Sequence, residues 1–164
     1  MESVRPAAPA DLAQCTELVR AAIEVTRTSR GGGPWLAGTA APLGGSGLVG
    51  PHPGDLVAAW AAPGEDHRLV VGTIDDAVVG LAHARVVVGP SGALTGRIDG
   101  CYVEPGARQV GVGTALVGDL VEWAAALGCD GVDAEVLPGD RSTKALLEAA
   151  GFKARLLVLH RPLA

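Results

Sequence analysis

Aromatic residues are scarce in this chain: one Phe, one Tyr and three Trp among 164 residues. A core with so few rings has to be built from Val, Leu, Ala and Ile. There are three cysteines, Cys15, Cys101 and Cys129, far apart and without a CxxC pair. That is neither a disulfide framework nor a thiolate metal site. Free thiols in a reducing compartment are expected, and no metal. Basic residues are outnumbered, 13 Lys and Arg against 18 Asp and Glu, for a formal net charge of −5. Phosphate contacts dominate generic nucleic-acid affinity, so nucleic acid is not an expected partner. No stretch reaches the roughly 18 uncharged apolar residues of a membrane helix. Met1 to Ala10 lacks the basic head and apolar run of a secretion signal. No membrane partner is expected, and the expected location is cytoplasmic.

What is present fits one domain over 1–164. A chain of this length buries roughly 70% of its unfolded surface, so it folds without staples. Ser3 to Arg5 reads as a short strand. After Pro9, Leu12, Cys15, Leu18, Val19, Ala22 and Ile23 recur at helical spacing. From Thr28 to Gly54 the periodicity collapses into Gly31-Gly32-Gly33-Pro34, Gly44-Gly45-Ser46-Gly47 and Pro51-His52-Pro53-Gly54. That reads as a long loop, expected to be mobile and to shape a site. Asp55 to Ala62 suggests a short helix. His67 to Ile74 and Ala77 to Val88 read as a hairpin around Asp75-Asp76. Ala93 to Val103 is the next strand. Val112 to Leu127 is helical and stopped by Gly128. Gly131 to Val136 is a strand, Asp140 to Ala150 a helix, and Phe152 to Leu159 a last strand. The order implies a mixed α/β sheet with helices on its faces.

The segment from Val103-Glu104-Pro105 through Arg108-Gln109-Val110-Gly111-Val112-Gly113-Thr114 is the sharpest chemical signal. A strand ends, a turn follows and a helix opens. The first turn of a helix leaves backbone N–H groups without partners, at the positive end of the dipole. Glycines there let a ligand approach the backbone, and such a turn suits a pyrophosphate. A ligand-free glycine turn is the bland alternative. A dinucleotide fingerprint fits poorly: Leu116 occupies the third glycine position, and too little chain follows for such a domain. Asp133, at the acidic-residue spacing, is the one point in its favour.

The ordered series resembles the GNAT N-acetyltransferases. Their hallmark, Q/R-x-x-G-x-G/A after a strand ending V-x-P, corresponds here to Arg108-Gln109-Val110-Gly111-Val112-Gly113 after Val103-Glu104-Pro105. Ala134-Glu135-Val136, Asp140 and Ala145-Leu146-Leu147-Glu148-Ala149-Ala150-Gly151-Phe152 continue the pattern. The likeness covers about Gly96 to the C-terminus. It implies a mixed, mostly antiparallel sheet flanked by helices, with acetyl-CoA as cosubstrate and no metal. It implies that the backbone of Cys101, Tyr102 and Val103 pairs with the pantetheine arm. The amides of Gln109, Val110, Gly111, Val112, Gly113 and Thr114, following Arg108, would hold the pyrophosphate. A fifth strand splayed from the fourth would leave a slot for the thioester.

Two departures stand out. Leu147 occupies the place where many relatives carry the Tyr that protonates the leaving thiolate. Asp140 replaces an Asn. Asp140 suits a helix cap, and Arg141 or Lys144 suits either a coenzyme phosphate or solvent. An amine must lose a proton to be acylated. Glu135 is the expected base and Asp99 its rival, expected by alternation to share a strand face with Cys101 and Val103. Alternation likewise puts Asp133 beside Glu135. His52, His83 and His160 read as ordinary polar positions, His83 being nearest the expected cleft. The function expected is acetyl transfer from acetyl-CoA to a primary amine of a small molecule or protein. The alternative is an acyl-CoA sensor or partner module of the same fold. The expected partner is the amine substrate, of unspecified identity, with a homodimer left open.

Overall fold

A computed structural model describes residues 1–37, 52–159, 161 and 163. The Gly44–Gly47 run and His160 lie outside the described residues. Five strands form one sheet in the order of the chain. β1 (Glu2–Pro6), β2 (His67–Ile74), β3 (Ala77–Val88) and β4 (Leu94–Val103) are antiparallel neighbours. β5 (Gly131–Ala134) runs parallel to β4. Asp75 and Asp76 join β2 to β3 with φ of +46° and +68°. Two left-handed residues make the turn whose twist matches a hairpin.

Alternation sorts the apolar side chains onto two faces. On one face α4 (Val112–Ala126) packs Val112, Leu116, Val117, Leu120 and Ala124 onto Val70, Ala82, Ala84 and Ile98. On the other, α1 (Leu12–Thr28) and α3 (Pro53–Trp60) bring Cys15, Leu18, Val19, Val57 and Trp60 against Leu69, Val71 and Leu81. Buried Asp11 ties β1 to the start of α1. It accepts from Arg5 (2.6 Å) and the Ala8 amide (2.7 Å). The Arg5 guanidinium holds its carboxyl below the ordinary range. α5 (Arg141–Ala149) closes the α4 side through Leu147.

Two expectations are corrected. The start of the Thr28–Gly54 segment is not loop: Gly32–Leu36 forms a short helix, α2, entered through Gly31 at φ +81°. Proline suits the first turn of a helix, where its missing N–H is not needed, and Trp35 gives the helix an apolar anchor. The last strand is absent. Phe152–Leu159 makes no ladder, and Leu156, Leu157, Val158 and Leu159 are exposed. β5 ends at Ala134 and offers only a short edge, while four consecutive apolar residues do not alternate between two faces. No helix among the described residues is long and apolar enough to cross a membrane.

Candidate active site

β4 and β5 pair only from Thr95 with Gly131 to Ile98 with Ala134. β4 continues to Val103, and among the described residues no strand pairs with it on that side beyond Ile98. A cleft of about 610 Å³ opens where the two strands part and runs through the sheet. On the α4 face it is lined by the Arg108–Gly113 turn, Thr114 and the start of α5. On the α1 face it is lined by Val19, Ala22 and Val25, with Trp35 and Trp60.

The turn is shaped for an anion. Gln109 and Gly111 have φ of +68° and +96°. Left-handed residues alternating with ordinary ones turn successive amides into a concave nest. The first intrahelical bond of α4 runs from Ala115 N–H to the Gly111 carbonyl at 3.0 Å. The amides of Val112, Gly113 and Thr114 precede it, at the positive helix end. Gly113 also serves packing. A Cβ there would stand 3.1 Å from Leu146 Cδ2 and 3.7 Å from Val103 Cγ2. Arg108 folds back on the strand. Its Nε donates to the Val103 carbonyl (2.9 Å), and its guanidinium lies 5.7 Å from the Tyr102 ring centroid. The Val103 carbonyl is thus already engaged.

Asp140 caps α5, accepting from the Thr143 amide at 3.0 Å and from the Ser142 hydroxyl at 3.1 Å. Arg141 is exposed and does not line the cleft. Lys144 donates to Glu148 (2.7 Å), one turn along α5. Leu147 lines the cleft, so an aliphatic side chain occupies the place of the expected acid. Burial pushes the Cys101 thiol up to about 12. It stays protonated near neutrality and is a poor nucleophile.

The sequence-based facing of Asp99 is wrong, because a bulge intervenes. His83 pairs with Gly100 but Ala84 pairs with Ile98, so β4 carries one extra residue here. A bulge switches which side successive residues face. Cys101 and Val103 pack in the α4 cluster, whereas Asp99 turns to the α1 face with Arg97 and His83.

There a charged chain crosses the cleft. Trp35 Nε1 donates to Glu135 Oε2 and Arg97 Nη2 to Glu135 Oε1, each at 3.0 Å. Arg97 Nε stands 3.6 Å from Asp99 Oδ1. Arg85 Nε donates to Asp99 Oδ2 at 2.9 Å, and His83 Nδ1 lies 3.3 Å from that oxygen. Both carboxylates line the cleft, but the Asp99 side chain is 2% exposed and that of Glu135 16%. Glu135 is the more accessible of the two. Asp133 lies apart, half-buried and 3.6 Å from Arg155, outside the cleft lining. His52 is exposed at the start of α3.

His83 does not line the cleft. It is buried behind it, its ring stacked on Trp60 at 4.6 Å between centroids. Burial lowers its pKa, with Arg85 and His67 acting the same way against the opposing pull of Asp99. The folded protein therefore binds this proton less readily than the unfolded chain. Stability present above the ordinary value of 6.5 falls as pH drops towards the folded value. His83→Phe keeps the stack and removes the titration. Urea unfolding from about pH 7.5 to 5 should show a shallower decline for the variant than for the parent.

Sequence reasoning missed Arg97 and Trp35. Arg97 was within reach, since alternation sets it on the face of Asp99. Nothing local announces that Trp35 reaches Glu135, a hundred residues away.

The acetyltransferase (GNAT) family model matches residues 45–152. The chain belongs to that family and is an acyltransferase. No curated protein matches it by sequence. Solved structures share the fold. A putative acetyltransferase from Agrobacterium tumefaciens is 20% identical, with TM-score 0.68, over 98% of this chain and 99% of that one. AAC(6')-Iy in complex with the bisubstrate analogue CoA-S-monomethyl-acetylneamine is 17% identical, TM-score 0.67, over 100% and 99%. An aminoglycoside acetyltransferase from an uncultured soil metagenomic sample, in complex with sisomicin, is 15% identical, TM-score 0.68, over 99% and 95%.

Proposed function

We propose that the protein transfers acetyl from acetyl-CoA directly to a primary amine. One observation carries this reading: an anion-binding turn and a reachable carboxylate line the same cleft, on opposite sides of the parted strands. Acetyl-CoA supplies an activated acyl group. The nested amides of Gln109 to Thr114 hold its pyrophosphate. The free edge of β4 from Gly100 to Tyr102 guides the pantetheine arm into the slot. A CoA-containing analogue on a neighbour of the same fold supports that placement.

Glu135 receives the amine. Each of its oxygens accepts one bond from the protein, and a carboxylate oxygen has a second acceptor site. Arg97 and Trp35 fix its orientation. As the amine nitrogen bonds to the acyl carbon and the carbon–sulfur bond breaks, Glu135 takes the proton from nitrogen. The sulfur leaves as thiolate, which needs no strong acid because a thiol titrates near pKa 8.5. The transfer is direct, and burial, which raises the Cys101 thiol, disfavours that residue as a nucleophile.

Leu147 in the cleft favours a second reading, an acyl-CoA sensor with little turnover. Thiol release from acetyl-CoA with a panel of primary amines decides. Transfer predicts amine-dependent release well above hydrolysis. Acetyl-CoA bound by calorimetry with no amine-dependent release would establish the sensor instead.

A further inference from the structure

We infer that the acceptor is a monoamine on an apolar, preferably aromatic, body, and that Trp35 selects it. This rests on the acetyl-transfer reading above and names its substrate class.

The argument starts from charge. Among the described residues lining the α1 side of the cleft, the carboxylates are Asp99 and Glu135. Arg97 spans both, and Arg85 holds Asp99 as well. Two negative groups are thus matched by two guanidiniums. Residues 38–51 carry no ionisable side chain in the sequence, so they add no charge wherever they lie. A polycation would bring a second charge into the cleft with no uncompensated carboxylate to meet it. Desolvating an unmatched charge is costly. An acceptor bearing a carboxylate or phosphate beside its amine meets an arginine already committed to Glu135 and Asp99. By that count the wall offers no spare negative charge, so an acceptor with a single amine brings the least charge to desolvate.

Most of the other described residues on this wall are apolar, Thr26 being the exception on α1. Val19, Ala22 and Val25 form one stripe of α1 facing the cleft. Val25 is half exposed although large and apolar. Trp35 packs against the α1 cluster that includes Val19 and also lines the cleft, and its indole N–H donates to Glu135, which fixes the ring beside the carboxylate that receives the amine. In a chain with three tryptophans, two line this cleft. A flat apolar body gains dispersion and burial against such walls, and its ammonium form gains from the ring face.

The experiment measures kcat/KM by thiol release for 2-phenylethylamine, tryptamine, methylamine, spermidine, kanamycin and phenylalanine. The two arylalkylamines should exceed spermidine, kanamycin and phenylalanine at least tenfold. Because Trp35 also orients Glu135, Trp35→Ala should lower kcat for both amines, but it should raise KM for 2-phenylethylamine about tenfold more than KM for methylamine, and Trp35→Phe should recover most of that KM difference. A polycation or the amino acid as best acceptor would overturn the inference while leaving acetyl transfer standing. So would an equal effect of Trp35→Ala on KM for both amines. If no amine is acetylated, the transfer reading fails. Calorimetric binding of 2-phenylethylamine against spermidine, at saturating CoA, then still decides the class of ligand.

Discussion

Glu135→Gln is expected to lower kcat by about a hundred- to ten-thousand-fold, the usual loss when a general base is deleted. CoA affinity measured by calorimetry should hardly change. The reason is placement. Glu135 lies past the last β4–β5 pair and faces the α1 side, whereas the pyrophosphate turn is on the α4 side. Glutamine keeps the shape and can still meet Trp35 or Arg97, but it cannot take a proton. Asp99→Asn is the paired test. Asp99 is buried between Arg85, Arg97 and His83, so its neutralisation removes the carboxylate that Arg85 faces and one of the two beside Arg97. Breaking a fully buried pair typically costs about 3–5 kcal/mol, and the partial exposure of Arg85 and the remaining Glu135 partner of Arg97 bring the cost below that. Asp99→Asn should therefore lower the melting temperature clearly, and Glu135→Gln much less. If Asp99→Asn abolished turnover in a protein that melts normally, while Glu135→Gln kept its rate, the base would belong to β4.

The sheet and the geometry of the glycine turn were legible because their signals are local. The β2–β3 hairpin, β4 and α4 lie within a residue or so of their expected bounds. Each rests on a periodicity or a turn residue close by in sequence. The Arg108–Thr114 turn is one contiguous stretch, so its geometry follows from its own glycines. The acceptor half depends on distant parts. The Asp99 bulge is set by pairing between β3 and β4, and alternation alone gave the wrong face. The link from Trp35 to Glu135 joins the N-terminal third to β5 and leaves no local trace. The segment Gly31-Gly32-Gly33-Pro34 illustrates a related difficulty. Its glycines and proline read as loop, but Gly31 supplies the left-handed entry and the proline sits in the first turn. The missing strand after Phe152 failed differently. Residue types alone favoured β structure there, but strand formation needs an edge to pair with, and β5 is short.

Gly111→Val should weaken CoA binding by about ten- to a hundredfold. Gly111 is the residue from which α4 begins, and its φ of +96° is open to glycine but strained for any side chain with a Cβ. For a β-branched residue, holding that conformation costs on the order of 1–3 kcal/mol. The turn can relieve the strain by rotating the peptide units of Val110 and Val112, which turns the nested amides away from the ligand. A Cβ at Gly111 meets little else, its nearest contact being Glu2 Oε1 at 4.0 Å. The effect is therefore conformational rather than steric. Gly113 differs, because a Cβ there presses on Leu146 and acts through the packing of α5 against α4. Gly92 is the control. It has a φ of +82° and open space around it, in the β3–β4 turn away from the cleft. Gly92→Val should lose a comparable amount of stability in urea unfolding and keep its CoA affinity. If both variants lose stability alike and CoA affinity stays intact in both, the Arg108–Thr114 turn is not where the coenzyme is held.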